Sequence, residues 1–252
     1  MTLTIWNEST RGELNGALPV ALVVLPTAAI EQHGPHLATG HDTFMVAHIA
    51  RQAAERAAGQ ADVVLAPVLA FGSSAHHLPF GGTLSLRTET YLHVVRDLIE
   101  SMLACGAKRI LLLNGHGGNH ELNQLAARDI AIELSPESGV VLSAASYWDI
   151  AREALAEDEV AGGLTLPGHA GQFETAMMLA FDPLRVRQRV ERQADPSATD
   201  VVPGVRVETP DRWESFDGYT DFPHRATAEQ GEVLLERVVG AVAEAMVALA
   251  RR

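Results

Sequence analysis

Two periodicities alternate along this chain. Short apolar runs, Ala21–Leu25, Val63–Leu69, Ile110–Leu113 and Gly139–Ala144, are bounded by polar, Gly or Pro residues and have strand length. Between them apolar residues recur at helical spacing. They are Phe44, Ala47, Ala50, Ala54 and Ala57 in a helix from about 43 to 58, and Tyr91, Val94, Val95, Leu98, Met102 and Leu103 in one over Thr88–Ala104. Gly59 and Gly106 close these two helices. Further helices are predicted over about 120–134, Tyr147–Ala156 and His169–Phe181. A last amphipathic helix is marked by Val233, Leu234, Val238, Val242, Met246 and Leu249. Ile110–Leu113 is apolar at every position, as expected of a central strand covered on both faces. Strand alternating with helix predicts one doubly wound, mainly parallel α/β sheet in a single domain over 1–252.

Three stretches escape the pattern. Residues 1–17 are polar around Trp6 and predict an irregular or short helical lead-in. Phe71 to Leu86 is a glycine-containing loop, and a second loop is bounded by Gly162-Gly163 and Pro167-Gly168. Residues 182–227 are rich in Arg, Asp and Pro, without period.

Composition narrows the function classes. No run of eighteen apolar residues exists, so no membrane-spanning helix is expected. The first residues lack the basic start and apolar core of a signal peptide. The single cysteine, Cys105, allows no internal disulfide, and a cytoplasmic location is expected. A formal net charge of −13 argues against a sequence-independent nucleic-acid binder.

Histidine placement says more. Ten of the eleven histidines lie before residue 170, several beside Gly, Asp or Glu. In Glu31-Gln-His33-Gly-Pro-His36-Leu-Ala-Thr-Gly-His41-Asp42, carboxylates and imidazoles crowd into a dozen residues after the first strand. Side chains two apart share a face in extended chain, so Glu31 and His33 can meet, and the Gly34-Pro35 turn returns Asp42 to them. This donor set suits zinc or manganese. His76 and His77 follow the second strand and His116 follows the third, where ligand sites of doubly wound sheets lie. His76 can line the pocket, but adjacent residues rarely face one place, so only one of the two histidines is expected to. Two ions are inferred, with one ion bound by a subset of these residues as the alternative. Asp42 bridges them at roughly 3.5–4 Å, holding a water. Glu31 sits on one ion, with Glu174 supplied from His169-Ala-Gly-Gln-Phe-Glu174, and His33 and His116 sit on the other.

In Asn114-Gly-His116-Gly-Gly-Asn119 the third glycine of a dinucleotide turn is missing. Backbone N–H groups of Gly117 and Gly118, with Asn119, are expected instead to polarise a substrate carbonyl. His169, after Pro-Gly, is the candidate proton donor to a leaving nitrogen. The serines lack a nucleophile-elbow pattern.

Taken together with Gly82-Thr-Leu-Ser and Ala226-Thr-Ala-Glu-Gln-Gly231, these motifs resemble the creatininase (creatinine amidohydrolase) family from about residue 20 to 245. The resemblance implies a three-layer α/β/α fold, a dinuclear centre and hydrolysis of a non-peptide or terminal amide C–N bond. It also implies a homo-oligomer, commonly a hexamer. By motif, Glu31, His33, Asp42 and His116 match metal ligands and His169 the catalytic histidine. Trp148, in Ser146-Tyr147-Trp148-Asp149, matches a tryptophan that packs on substrate. The metal-binding glutamate of creatininase proper falls at Gly118, its second substrate-packing tryptophan at Thr165, and the glutamate before its catalytic histidine at Gly168. These departures weigh against creatinine and leave Glu174 as substitute ligand.

The expected activity is cleavage of a small cyclic or formyl amide through a water bridging two divalent ions, zinc or manganese, with iron also admissible. The rivals are a peptidase acting on a cofactor-precursor peptide, a non-catalytic metal-binding sensor, and a dinuclear phosphoesterase. The last would want basic residues near the centre, and Arg87 is the closest in the motif loops.

Overall fold

The computed structural model describes residues 1–156, 163–195, 202, 205 and 207–252. Its strands are Leu3–Ile5 (β1), Leu22–Thr27 (β2), Val63–Leu65 (β3), Arg109–Asn114 (β4) and Val141–Ser146 (β5). The helices are Arg11–Ala17 (α1), His41–Ala57 (α2), Thr88–Ala104 (α3), His120–Glu133 (α4), Tyr147–Ile150 (α5), Arg152–Ala156 (α6), Gln172–Phe181 (α7), Arg212–Ser215 (α8) and Ala228–Ala250 (α9). All strands run parallel, in the order β1-β3-β2-β4-β5.

Both faces of the sheet are covered, so the central strands are apolar throughout. Leu22 and Val24 of β2, with Leu111 and Leu113 of β4, pack under α2, α7 and α9 on one face. Val23 and Leu25, with Ile110 and Leu112, pack on the other against Tyr91, Val95 and Ile99 of α3 and Ile130 of α4. Each such side chain contributes about 1.5–3 kcal/mol when fully buried. A one-residue slip would exchange one apolar set for another, so polar strand ends must hold the register. Thr27, Asn114 and Ser146 stand side by side at the carboxyl ends of β2, β4 and β5. The Asn114 amide bonds both neighbours, accepting from Thr27 Oγ1 at 3.2 Å and donating to Ser146 Oγ at 2.8 Å.

The helix after β2 lies on the first face and the helix after β4 on the second. A crevice therefore opens beyond the carboxyl ends of these two neighbours, the switch point where doubly wound sheets bind ligands.

The structure departs from the periodicity at several places. β1, inside the expected lead-in, pairs with β3 as an edge strand. β3 stops at Leu65 because Pro67 lacks an N–H, and pairing resumes only as the single bridge Thr27–Leu69. The predicted helix over Tyr147–Ala156 is broken at Ala151. α7 begins at Gln172 rather than His169, since Gly168 (φ 66°) and Ala170 (φ 49°) take left-handed conformations. Gly162, one bound of the second expected loop, and residues 196–201, 203–204 and 206 of the aperiodic stretch lie outside the described residues. No described helix is long and apolar enough to cross a membrane.

Candidate metal centre

The chain leaving β2 does not continue as a strand. It makes single bridges, Ile30–Leu84 and His33–Leu37, turns at Gly34 (φ 61°) and enters α2 at His41. This irregular path places Glu31, His33 and Asp42 around the crevice, all buried. His116 arrives from the end of β4. Glu174 arrives from the first turn of α7, where one carboxylate oxygen accepts from the Ala170 N–H at 2.6 Å.

Asp42 stands between two groups. Its Oδ1 is 3.0 Å from His33 Nε2, and Glu174 lies 3.9 Å beyond that nitrogen. Its Oδ2 is 3.2 Å from His116 Nδ1, which is 3.1 Å from Glu31 Oε1. His116 thus stands with Glu31, and His33 with Glu174, where the expected arrangement set His33 and His116 together. The segment after Ile30 is not a regular strand, and Glu31 and His33 also form a third close set with His169.

Hydrogen bonding settles which nitrogen each histidine presents. His33 Nδ1 faces the Glu31 main-chain oxygen at 3.2 Å, His116 Nε2 faces the Ser73 oxygen at 3.1 Å, and His169 Nε2 faces the Gln32 oxygen at 2.9 Å. A carbonyl oxygen only accepts, so each of these nitrogens carries a hydrogen. His33 Nε2, His116 Nδ1 and His169 Nδ1 are then the nitrogens turned to the carboxylates, and His169 Nδ1 lies 3.6 Å from Glu31 Oε1. Orientation of an imidazole through its far N–H is the usual support of a metal ligand. His77 is arranged the other way. Gln32 donates to its Nδ1 at 2.9 Å, so the hydrogen sits on Nε2, which points at Glu31 Oε2 from 3.8 Å.

Glu31 Oε2, His33 Nε2, Asp42 Oδ2 and both nitrogens of His41 are buried and meet no hydrogen-bond geometry. A buried polar atom left without a partner costs about 1–3 kcal/mol, and more when charged. Oxygen and imidazole donors converging in two adjacent sets, with lone pairs unspent, fit a pair of divalent ions.

The charges of the chain alone fit the same reading. Burial disfavours the His33 imidazolium, yet Asp42, Glu174 and Glu31 overcome this and hold its pKa up at about 10. His116 is likewise raised well above its ordinary value against burial, by Glu31 and Asp42. Glu31 and Asp42 are lowered despite burial, by His116 and His33 respectively. Burial raises Glu174 to about 8. Burial, reinforced by His33, pushes His169 well below its ordinary value. In the chain alone, protons on His33 and His116 offset the buried carboxylates.

A cavity of about 670 Å³ opens over these groups. Glu31, Asp42, His116, Glu174, His169, Gly117, Gly118, Trp148 and His76 line it. Asn119 does not. Its amide donates to the Ala28 oxygen at 3.0 Å and accepts from the Ser73 N–H at 3.0 Å, tying two loops together. His76 and His77 both line the cavity, against the expectation of one, because Ala75–Phe80 is a 3₁₀ turn and not a strand. At Gly118 a Cβ would stand 2.3 Å from the Ser73 oxygen, so a side chain there has no room.

Five wall residues come from the aperiodic stretch and carried no signal in the sequence, Trp213 and Arg212 among them. Trp213 sets its ring 4.6 Å from His77 and 5.2 Å from His169, edge-on to both. Arg212 brings a cation to the cavity, its guanidinium donating to the Val207 oxygen.

A family model described as creatinine amidohydrolase matches residues 7–246. The creatinine amidohydrolase of Pseudomonas putida is 30% identical over 244 residues, covering 89% of this chain and 88% of that protein. The mycofactocin precursor peptide peptidase of Mycobacterium ulcerans (strain Agy99) is 33% identical over 180 residues, 69% of this chain and 63% of the peptidase. A mutant creatininase of Zn-Zn type superposes with a TM-score of 0.75 at 27% identity, and a creatininase structure described as Mn with 0.76 at 26%. Each covers 97% of both chains.

Proposed function

This chain belongs to the creatininase family of hydrolases, and from that premise we propose that it is a metal-dependent amidohydrolase with a dinuclear centre. The observation that carries the reading is the common arrangement of His33, His116 and His169. Each is tethered to a main-chain oxygen through one nitrogen and presents the other to a carboxylate cluster. Glu31, Asp42 and His116 would hold one ion, and Asp42, His33 and Glu174 would hold the other. A divalent pair bound there supplies Lewis acidity for an amide carbonyl and lowers the pKa of bound water toward about 7.

The remaining work falls to the chain. His169, on the cavity wall with Nδ1 beside Glu31, takes a proton from the attacking water and gives it to the departing amide nitrogen as the C–N bond breaks. Gly117 and Gly118 line the cavity, and their N–H groups are the donors assigned to a developing oxyanion. Trp148 and Trp213 wall the cavity and keep bulk water from the amide.

The substrate class is a small cyclic or formyl amide. The size of the cavity, larger than one small ring needs, favours a terminal amide of a peptide as the second reading. The test is a panel of formamides, cyclic amides, peptide amides and p-nitrophenyl phosphate, offered to the protein before and after chelation. Amide hydrolysis that disappears with the metal and returns with zinc or manganese is expected. Turnover of the phosphate ester alone, or of nothing, would overturn the proposal.

A further inference from the structure

We propose that His41 is a further ligand of the ion held by His33 and Glu174, giving that half of the centre two imidazoles. The inference rests on the dinuclear reading above. His41 opens α2, immediately before Asp42, and has no exposed surface. Its Nε2 lies 4.0 Å from Glu174 Oε1, and its ring centroid 4.8 Å from that of His33. One donor atom from each of His33, His41, Asp42 and Glu174 falls within 4.8 Å of the others. Donors bound at about 2.0–2.2 Å stand roughly 3–4.2 Å apart around one ion, so a shift of under about 1 Å completes the set.

What separates His41 from its neighbours is that neither ring nitrogen has a hydrogen-bond partner. His33, His116 and His169 each have a main-chain oxygen, His36 has Thr175 at 3.0 Å, and His77 has Gln32. A buried imidazole with both nitrogens unspent is a poor core residue, since an aliphatic side chain fills such a space without burying polar atoms. Its place at the edge of a ligand set gives those nitrogens a use. The two halves then differ in chemistry. Two imidazoles favour zinc at the His33 side, while Glu31, Asp42 and the single imidazole of His116 suit manganese as well.

The test compares the wild type with His41→Leu by elemental metal content and by zinc competition titration, with circular dichroism as a fold control. The wild type is expected to hold two ions. In the variant, the dissociation constant of the second ion should rise by at least the roughly 10–100-fold that loss of a mere supporting residue costs, while the first stays. Should the variant fail to fold, proton–cadmium correlation NMR on cadmium-loaded wild type decides the matter, one cadmium coupling to two imidazoles. Two ions in the wild type with unchanged zinc affinity in His41→Leu, or one imidazole on each cadmium, overturns the role of His41 alone. A wild type that binds fewer than two ions overturns the dinuclear reading with it.

Discussion

Nε2 of His169 lies 2.9 Å from the main-chain oxygen of Gln32, the residue that follows Glu31. The ligand segment itself therefore fixes the tautomer of the proposed acid and base, turning Nδ1 to the reacting side. Replacing His169 by Ala is expected to lower turnover about 10²–10⁴-fold, the usual contribution of a positioned proton-transfer group. Metal content, read by elemental mass spectrometry, should stay at the wild-type value. Loss of an ion would make His169 a ligand instead.

Glu174 is expected to hold one ion and not both. Glu174→Ala should drop the metal content from two ions toward one. Glu174→Gln, which keeps an acceptor for the Ala170 N–H, should do the same without loosening α7. Adding Gly118→Glu to either variant should not restore the second ion, because the Ser73 oxygen occupies the space that a side chain at 118 needs. Recovery in the double variant would show that the Ser73 loop yields.

Protonation of the metal-free centre has a sign that can be measured. His33 has its pKa raised to about 10 from 6.5. Its contribution to the stability of the metal-free chain is then full below about pH 6.5 and is lost as pH rises through about 10. Metal binding requires the neutral imidazole. Loading at neutral pH should release at least one proton per chain, and affinity should rise with pH over the same window. Calorimetry in two buffers of different protonation enthalpy reads the proton count. A titration that releases none would show His33 already neutral.

Gly231 of α9 is packed so closely on α7 that a Cβ there would stand 1.9 Å from the main-chain oxygen of Ala176. Main chain cannot swing aside as a side chain does. Gly231→Ala should cost about 1–3 kcal/mol through overpacking. For a chain of this size that lowers the melting temperature by roughly 2–12 °C. Since Ala176 sits half a turn from Glu174, the variant should also bind its second ion more weakly. An unchanged melting curve would mean that the helices separate freely.

Much of this architecture is legible in the sequence, and the failures have physical causes. β2 and β4 are plain because strands buried on both faces must be apolar at every position. α3 is plain because its apolar stripe is long and ends at Gly106. β1 is three residues of half-buried edge and too short to show a period. The residues of the cluster were readable as candidates, since carboxylate and imidazole crowd into loops that follow strands. Their partition was not, because it depends on the irregular turn after Ile30. His77 was missed through its 3₁₀ geometry. Trp213 was missed because an aperiodic stretch is placed by its tertiary contacts. His41 stood in the motif, but nothing in the sequence shows that both its nitrogens lack partners.

The layer built by α7 and α9 has a consequence for the order in which the molecule is made. α9 rests on α7, on α2 and on β2, so the last helix covers one of the earliest strands. A growing chain carries β2, β3 and β4 with one apolar face bare until α9 emerges, and contacts across so much sequence form late. Glu31, Asp42 and His116 are synthesised long before that point, whereas Glu174 lies on α7, the helix that α9 covers. The complete cluster therefore waits on α9, and a chain interrupted before that helix is expected to lack the Glu174 side of it.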